Sequence, residues 1–573
     1  MKKSFGVIIE RRITFVLLFF LAAFLILVGR LFMLQIVYYR DYSALAAKQH
    51  RLVKDILPER GTIFAQDKTA SLVPLALNRI QKNLIATPRN IKSPGETAAL
   101  LEKELGLKKE GLLGKLEKKD DAYEIIAKDI EPNLADKIEG KLPEGLFFEE
   151  EKRRIYPHGS FAANLLGFVS IENTKEEGRY GLERYYEDDL SGERGFLEGA
   201  KDATGFWIAV GKRILYPPKN GSDLILTADY NIQKKSEETL LKVSQKWAAS
   251  SGLILVTEPK TGRILAQAVT PAFDPNEFSK VKDFSRFLNP LGEAMYEFGS
   301  VVKPVTMAAA LEEHAVKPDS TYDDKGEVKI GGFTIKNFDL KAHGVQTMTQ
   351  VLEKSLNTGM VHVSRLLGKE RQKEYLKKFG FGERTNLDLP GEVTGDISNL
   401  NAGREIDYAT ASFGQGIAIT PIQLASAIGA IANQGRMMRP FIVDKIIDDS
   451  GNEIRRSPEV IAEPISKETS ETLTKMLVSA VRNGFENRAS IKGYFVAGKT
   501  GTAQIPRQDG KGYSDKVIHT FVGYAPAFDP RFLVLIQLNE PQGNRFAANT
   551  LTPAFHDLAQ FILNYYEIPP DEK

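Results

Sequence analysis

Residues 496–504 read VAGKTGTAQ. The run has the pattern of a strand, yet Gly498 and Gly501 interrupt it. Glycine weakens a strand interior, so its use there points to the close approach of a ligand or of another backbone segment. Thr500 and Thr502 stand two positions apart and so share one face. Working outward, two further apolar runs follow, TFVGYA at 520–525 and RFLVLIQL at 531–538, joined by a Pro-Ala-Phe-Asp-Pro turn. Far upstream, GLILVTE (252–258) and RILAQAV (263–269) flank Pro259-Lys260-Thr261-Gly262 and predict a hairpin. Helical periodicity dominates from about 300 to 435, and LTPAFHDLAQFILNYY (551–566) closes as an amphipathic helix. Strands at both ends with helices between them predict an α+β fold. One antiparallel sheet of five strands carries a helical insertion on one face and the last helix on the other.

The chain has 573 residues, of which 42% are hydrophobic and 26% charged, so most of it can bury a core. Disordered, collagenous and disulfide-scaffold classes are excluded. Lys plus Arg is 76 against Asp plus Glu of 74, which gives no polyanion signal, and nucleic acid is not an expected partner. The absence of cysteine removes thiolate metal sites, Cys nucleophiles and disulfides, and fits an oxidising compartment.

One segment breaks the soluble average. Ile13 to Gly29 (ITFVLLFFLAAFLILVG) has no charge, and LFMLQIV follows Arg30 to Val37. A bilayer core of about 30 Å needs about 20 helical residues. The run reaches that length when the Arg30 guanidinium snorkels outward. A signal peptide has a shorter apolar core and a small-residue cleavage site, and no such site follows Arg30. The expectation is therefore a cytoplasmic tail at 1–12, a transmembrane anchor at 13–37 and an extracytoplasmic body. Lys2, Lys3, Arg11 and Arg12 keep the amino terminus cytoplasmic.

Residues 38–220 read as a membrane-proximal unit. ERGTI (59–63) is a turn followed by a strand, and 94–140 carries charged amphipathic helices. Their Lys and Glu residues form a solvated face. Pro217, Pro218, Asn220 and Gly221 break the chain, so a second domain is placed at 221–573.

Three short patterns carry chemistry, and each occurs twice. Ser-x-x-Lys matches at Ser279/Lys282, in a charged surface stretch, and at Ser300/Lys303, in YEFGSVVKPVTMAAALEEH. Gly299 permits a turn there, Pro304 suits a first helical turn, and Lys303 lies one turn after Ser300. Read blandly, Ser300 is a helix cap and Lys303 a solvated side chain. Ser-x-Asn matches at Ser450/Asn452, in an acidic turn, and at Ser355/Asn357, between two amphipathic runs. Lys-Thr-Gly matches at Lys260–Gly262, a hairpin tip, and at Lys499–Gly501, inside the strand pattern.

The second Ser-x-x-Lys and Lys-Thr-Gly matches, with Ser355/Asn357 between them, occur in the order found in penicillin-binding proteins. The whole chain resembles a class B, monofunctional penicillin-binding protein, a peptidoglycan D,D-transpeptidase. The likeness extends over GRLFMLQI (29–36), ERGTI, RRIYPHGSFAANLLGFV (153–169), GLERYY (181–186), DLILTADYNIQ (223–233), PAFDPN (271–276), SFGQGIAITPIQLA (412–425) and HTFVGYAP (519–526). It departs at Phe298, where the family usually has Pro, and at Ala65-Gln66-Asp67-Lys68, where an Asp-Arg-Asn-Gly run is common. The second departure touches the membrane-proximal domain and bears on a partner contact.

The resemblance implies that 38–220 is a pedestal of the dimerisation type and 221–573 the transpeptidase domain. It implies Ser300 as the acylated nucleophile and Lys303 as its base, deprotonated through burial and the charge of Lys499. Ser355 relays a proton to the leaving amine, and Asn357 holds the substrate peptide. Lys499, Thr500, Gly501 and Thr502 receive the terminal carboxylate. The backbone N–H groups of Ser300 and Thr502 form an oxyanion hole. No metal or organic cofactor is implied. Expected partners are stem peptides ending in D-Ala-D-Ala, β-lactams, a polytopic glycosyltransferase and divisome membrane proteins. The septal type is the closer likeness. Elongation-type crosslinking, hydrolysis in place of transfer, and a penicillin-binding sensor or scaffold are the alternatives.

Overall fold

The computed structural model describes residues 2–42, 51–172, 175–200, 214–484, 487–507 and 512–572. Parts of the 38–220 segment, 43–50 and 201–213 among them, lie outside the described residues. The chain forms two compact units, one of residues 1–59 with 192–220, the other of 60–191 with 221–573.

In the first unit, helix α1 (Lys2–Phe32) runs on through a π-turn at Met33–Val37. Its stretch Arg12–Val37 spans 26 residues with a mean hydropathy of 2.7. That is long and apolar enough to cross a bilayer. Strand β1 (Arg51–Ile56) pairs antiparallel with 195–200, which pairs in turn with 214–216. Phe196 stacks on Tyr216 across the last pair at 4.2 Å.

The second unit holds two larger sheets. The first contains β2 (Ile63–Gln66), β3 (Leu72–Ala86), β4 (Glu124–Ile130) and β5 (Leu146–Ile155). It continues into the downstream half of the chain, because β2 pairs parallel with β6 (Asp223–Asp229). A 443–447/453–455 hairpin extends the far side of β6. The charged helices expected at 94–140 form at Pro94–Leu105, Lys109–Leu116 and Pro132–Glu139. They bury Leu101, Leu112, Leu116 and Ala135 against the sheet and leave most of their charges in solvent, as an amphipathic period requires. Strand β4 was not foreseen, since Glu124, Lys128 and Asp129 dilute its apolar pattern.

The second sheet is the one read from the sequence. Asp229 caps α2 (Tyr230–Lys246) by accepting from the N–H groups of Asn231 and Ile232. The hairpin β7 (Ser251–Thr257) and β8 (Ile264–Thr270) follows. After the helical insertion come β9 (Ala497–Pro506), β10 (Tyr513–Ala525) and β11 (Phe532–Asn539). The order is β8-β7-β11-β10-β9, antiparallel throughout, with β9 at an edge. Strands β7 and β11 are buried on both faces, as a sheet between two helical layers must be. One layer holds α2 and the closing helix Thr552–Tyr565, which pack Leu240, Phe555 and Leu558 against Phe521 and Ile536. The helical insertion forms the other core, with Val305, Val351, Ile422 and Leu473.

Residues 60–191 are joined to 221–573 by strand pairing and by Tyr186 Oη, which donates to the buried Asp388 Oδ2 at 2.9 Å, and are themselves held together by a buried charge cluster. Glu183 is fully buried and accepts from Arg60 Nε and Arg154 Nε, both at 2.7 Å, and from Tyr156 Oη at 3.1 Å. Arg60 also reaches Glu187 at 2.7 Å. Burial pushes the Glu183 carboxyl up, but Arg154 and Arg60 outweigh it and the net shift is down. The family-departing residues at 65–68 are occupied within the chain. Lys68 N–H donates to Tyr565 Oη at 2.9 Å, and its ammonium pairs with Glu567 at 2.7 Å.

Replacing Glu183 by Gln removes the carboxylate shared by two buried guanidinium groups, and the expected loss is about 3–5 kcal/mol of unfolding free energy. Because the folded carboxyl is depressed, the wild type's contribution is present above about pH 4.3 and disappears as the solution is acidified further. Guanidinium unfolding at pH 7 and pH 3.5 checks both, and equal midpoints for wild type and variant at pH 7 contradict the assignment.

Candidate active site

The insertion begins with a 3-10 turn, Gly299–Val302, that runs into α3 (Lys303–Glu312). Pro304 lies in the first turn, where its missing N–H costs nothing. Ser300 is not the helix cap, since Phe298 and Val302 occupy the capping positions and neither turn has a side-chain cap. Its residue is half-buried. Lys303 is 0% exposed, so the bland reading of a solvated lysine fails. Its Nζ donates to the Ser355 carbonyl oxygen at 2.6 Å and lies 3.2 Å from Ser355 Oγ. An amine buried this deeply is costly without such partners.

Ser355 sits between the short helix Met348–Glu353 and α4 (Asn357–Leu367). Its φ is +53°, a left-handed conformation that a non-glycine residue adopts at a cost. The turn thereby aims the Ser355 carbonyl at Lys303 and opens α4 at Asn357. Asn357 Nδ2 donates to the Lys336 carbonyl at 3.0 Å.

The turn carrying Ser300 lies directly against β9. A Cβ built on Gly501 would stand 2.5 Å from the Phe298 carbonyl oxygen and 3.1 Å from Val301 Cγ1. The glycine that was costly in the strand pattern is there to admit the Ser300 turn. Lys499 and Thr500 are buried, and Lys499 Nζ lies 3.5 Å from Thr500 Oγ1. Thr502 is half-buried, and its Oγ1 accepts from the Ala547 N–H at 3.3 Å. The structure therefore brings the Ser300 turn against Gly501 of β9 and Lys303 to Ser355, with Asn357 opening α4 two residues on and Lys499, Thr500 and Thr502 flanking Gly501 on the strand. The decoy matches lie elsewhere: Ser279 and Lys282 are exposed, Lys260 tips the β7–β8 hairpin, and the Ser450 and Asn452 N–H groups cap onto Asp448 Oδ1.

Several neighbours carried no signal by spacing. The Gly299 N–H donates to the Gly414 carbonyl at 3.0 Å, and a Cβ on Gly414 would stand 2.2 Å from the Gly299 oxygen. The SFGQG stretch is thus a second wall of the Ser300 turn. On β10, His519 stands opposite Thr502. Its Nε2 donates to the Arg545 carbonyl at 3.2 Å, leaving Nδ1 to accept from Thr550 Oγ1 at 2.9 Å. Burial pushes this imidazole down to about 4. Across the cleft rim, Phe338 meets Phe546 edge-on at 4.9 Å, and the Arg545 guanidinium lies 5.5 Å over the Phe338 ring.

Comparison with known proteins agrees with this geometry. Residues 252–560 match the penicillin-binding protein transpeptidase domain, and residues 55–226 the penicillin-binding protein dimerisation domain. The chain is a class B penicillin-binding protein. As such it is a serine acyltransferase, a peptidoglycan D,D-transpeptidase. Stage V sporulation protein D of Bacillus subtilis is 35% identical over 99% of this chain and 87% of its own length. Penicillin-binding protein PbpB of Mycolicibacterium smegmatis is 31% identical over 96% of this chain and 89% of its own. Among solved structures, penicillin-binding protein 2X of Streptococcus thermophilus shares the fold, with a TM-score of 0.76 at 24% identity over 90% of this chain and 81% of that one. Penicillin-binding protein 3 of Mycobacterium tuberculosis, solved with aztreonam, has a TM-score of 0.67 at 26% identity, covering 90% of this chain and 98% of that one.

Two outcomes are expected for this penicillin-binding protein. In Gly501→Ala the new methyl must displace the Ser300 turn, and labelling by a fluorescent penicillin slows about 100-fold; an unchanged rate contradicts the contact. His519 is neutral when folded, so its contribution to stability is intact above about pH 6.5 and falls away as pH drops toward about 4, by roughly 3 kcal/mol at most. Urea midpoints between pH 7 and pH 4.5 should decline more steeply for the wild type than for His519→Gln.

Proposed function

We propose that Ser300 is the residue acylated by the donor stem peptide, and that the enzyme crosslinks wall during septation. Lys303 in its unprotonated form takes the Ser300 proton as the oxygen attacks the carbonyl of the penultimate D-alanine. The Ser300–carbonyl bond forms, and the peptide bond to the terminal D-alanine breaks. The departing amine receives its proton through Ser355. An amine of a neighbouring stem peptide then attacks the ester, Ser300 recovers its proton, and a crosslink remains. Lys499, Thr500 and Thr502 hold the terminal carboxylate, Gly501 lets the strand approach the reacting serine, and Asn357 orients the donor peptide. The N–H groups of Ser300 and Thr502 receive the developing oxyanion. The observation that carries this reading is the fully buried Lys303, hydrogen-bonded to Ser355 at the start of the helix that follows the Ser300 turn. A lysine without chemistry to perform is rarely placed there.

In the same reading, residues 13–37 anchor the protein in the cell membrane with 1–12 in the cytoplasm. Residues 38–220 form the pedestal, and 221–573 the extracytoplasmic transpeptidase domain. A polytopic glycosyltransferase and other divisome membrane proteins supply the glycan strand and the location. A second reading, crosslinking during sporulation, is favoured by the likeness to stage V sporulation protein D.

Intact-mass measurement after penicillin treatment tests the nucleophile. One adduct is expected on the wild type and on Ser279→Ala, and none on Ser300→Ala; an adduct surviving in Ser300→Ala refutes the assignment. Depletion of the protein in growing cells tests the role. Filaments support septation, whereas normal growth with failed spores supports the second reading and rounded cells point to elongation.

A further inference from the structure

The segment between α3 and the Ser355 turn folds into two small hairpins, 321–324 with 344–347 and 327–330 with 333–336. At their base lies Asp324, 2% exposed. Its carboxylate is saturated by four donors. Oδ1 accepts from Thr358 Oγ1 at 2.7 Å and from the Gly326 N–H at 3.0 Å. Oδ2 accepts from Asn337 Nδ2 at 2.8 Å and from the His343 N–H at 3.0 Å. Among the described residues no cation pairs with it, and these hydrogen bonds hold its charge.

These donors converge on one place. Thr358 follows Asn357 in the first turn of α4, and Asn337 follows Lys336, whose carbonyl accepts from Asn357 Nδ2. Asn337 Oδ1 in turn accepts from the Thr358 N–H at 3.2 Å. Residues 336–337 and 357–358 are thus pinned side by side, and Asp324 ties both pairs together. Two positions earlier stands Ser355, at φ +53° and bonded to Lys303 Nζ. A non-glycine residue keeps that conformation only where its surroundings over-determine it. The Asp324 cluster supplies that constraint by fixing residues 357–358, just beyond the turn.

We propose that Asp324 is a positioning residue for acylation: through Thr358 and Asn337 it holds the turn that presents Ser355 to Lys303 and Asn357 to the substrate. It touches no reacting atom. Loosening it leaves the pocket formed but lets the Ser355–Lys303 contact wander, and displacements of about 1 Å cost on the order of 100-fold in rate.

The inference rests on Ser300 acylation, and the experiment separates the two. Stopped-flow labelling of the full-length, detergent-solubilised protein with a fluorescent penicillin yields an acylation rate constant and a non-covalent affinity. In Asp324→Asn and in Thr358→Val the rate constant is expected to fall about 10- to 100-fold, with the affinity changed less than about threefold. Thr358→Ser, which keeps the hydroxyl, should acylate within about threefold of the wild type. The double variant should be no slower than the worse single one, because both remove the same link. Wild-type rate constants in folded variants overturn the proposal. So does additive slowing in the double variant, or a drop confined to the fraction of molecules that label. Should Asp324→Asn not fold, the Thr358→Val and Thr358→Ser pair decides alone. Absence of label on the wild type would instead refute the acylation reading itself.

Discussion

The structure depends on an amine held where water cannot reach it. Lys303 enters the core at the first turn of α3, and its Nζ finds the carbonyl of Ser355, a residue 52 positions away. A polar group buried there without a partner would be costly. Held by a carbonyl and near a hydroxyl, it fixes the helix start against the Ser355 turn, so the two segments that carry the chemistry cannot part without exposing or stranding it. Everything else in the second unit serves to keep this contact in register with the strand edge.

The sheet provides the fixed reference. Its central strands are buried on both faces, one against α2 and the closing helix, the other against the helical insertion. Edge strand β9 is held on one side by β10 and leaves its other side to the Ser300 turn. Gly501 sets how near that turn comes, because any side chain there would meet the Phe298 carbonyl. Gly414 sets the limit from the opposite side. The position of the Ser300 turn is thus defined by two backbone-to-backbone contacts, which rotamer changes cannot alter. Upstream, the β2–β6 pairing joins 60–191 to the same body, and the Arg60–Glu183–Arg154 cluster braces that segment from within.

Much of this was legible in the residues. Strands β7, β8 and β11 and the second half of β10 announced themselves because they are buried and therefore largely apolar, and the closing helix because its period is plain. The glycines of VAGKTGTAQ signalled a close approach, which the Phe298 carbonyl explains. The decoy triplets were separable by setting, since each lay in a turn or a charged stretch. What escaped has a common cause. Strand β4 and the small hairpins at 321–347 are short, half-exposed and rich in charge, so they lack an apolar period. Asp324, Asn337, Gly414 and His519 act through partners distant in sequence, and no local pattern encodes such pairings. The compact units also cut the chain differently from a break at 220, because β2 precedes that break yet pairs with β6 beyond it.

The central claim is that the Lys303 amine, not a solvent base, activates the Ser300 oxygen. Acylation by penicillin in Lys303→Met tests it most directly, since the methionine keeps the apolar stem and removes the amine. With the fold shown intact by circular dichroism, the account predicts an acylation rate constant lower by about 10²–10⁴, the range of general-base contributions. A variant that acylates within tenfold of the wild type would contradict it.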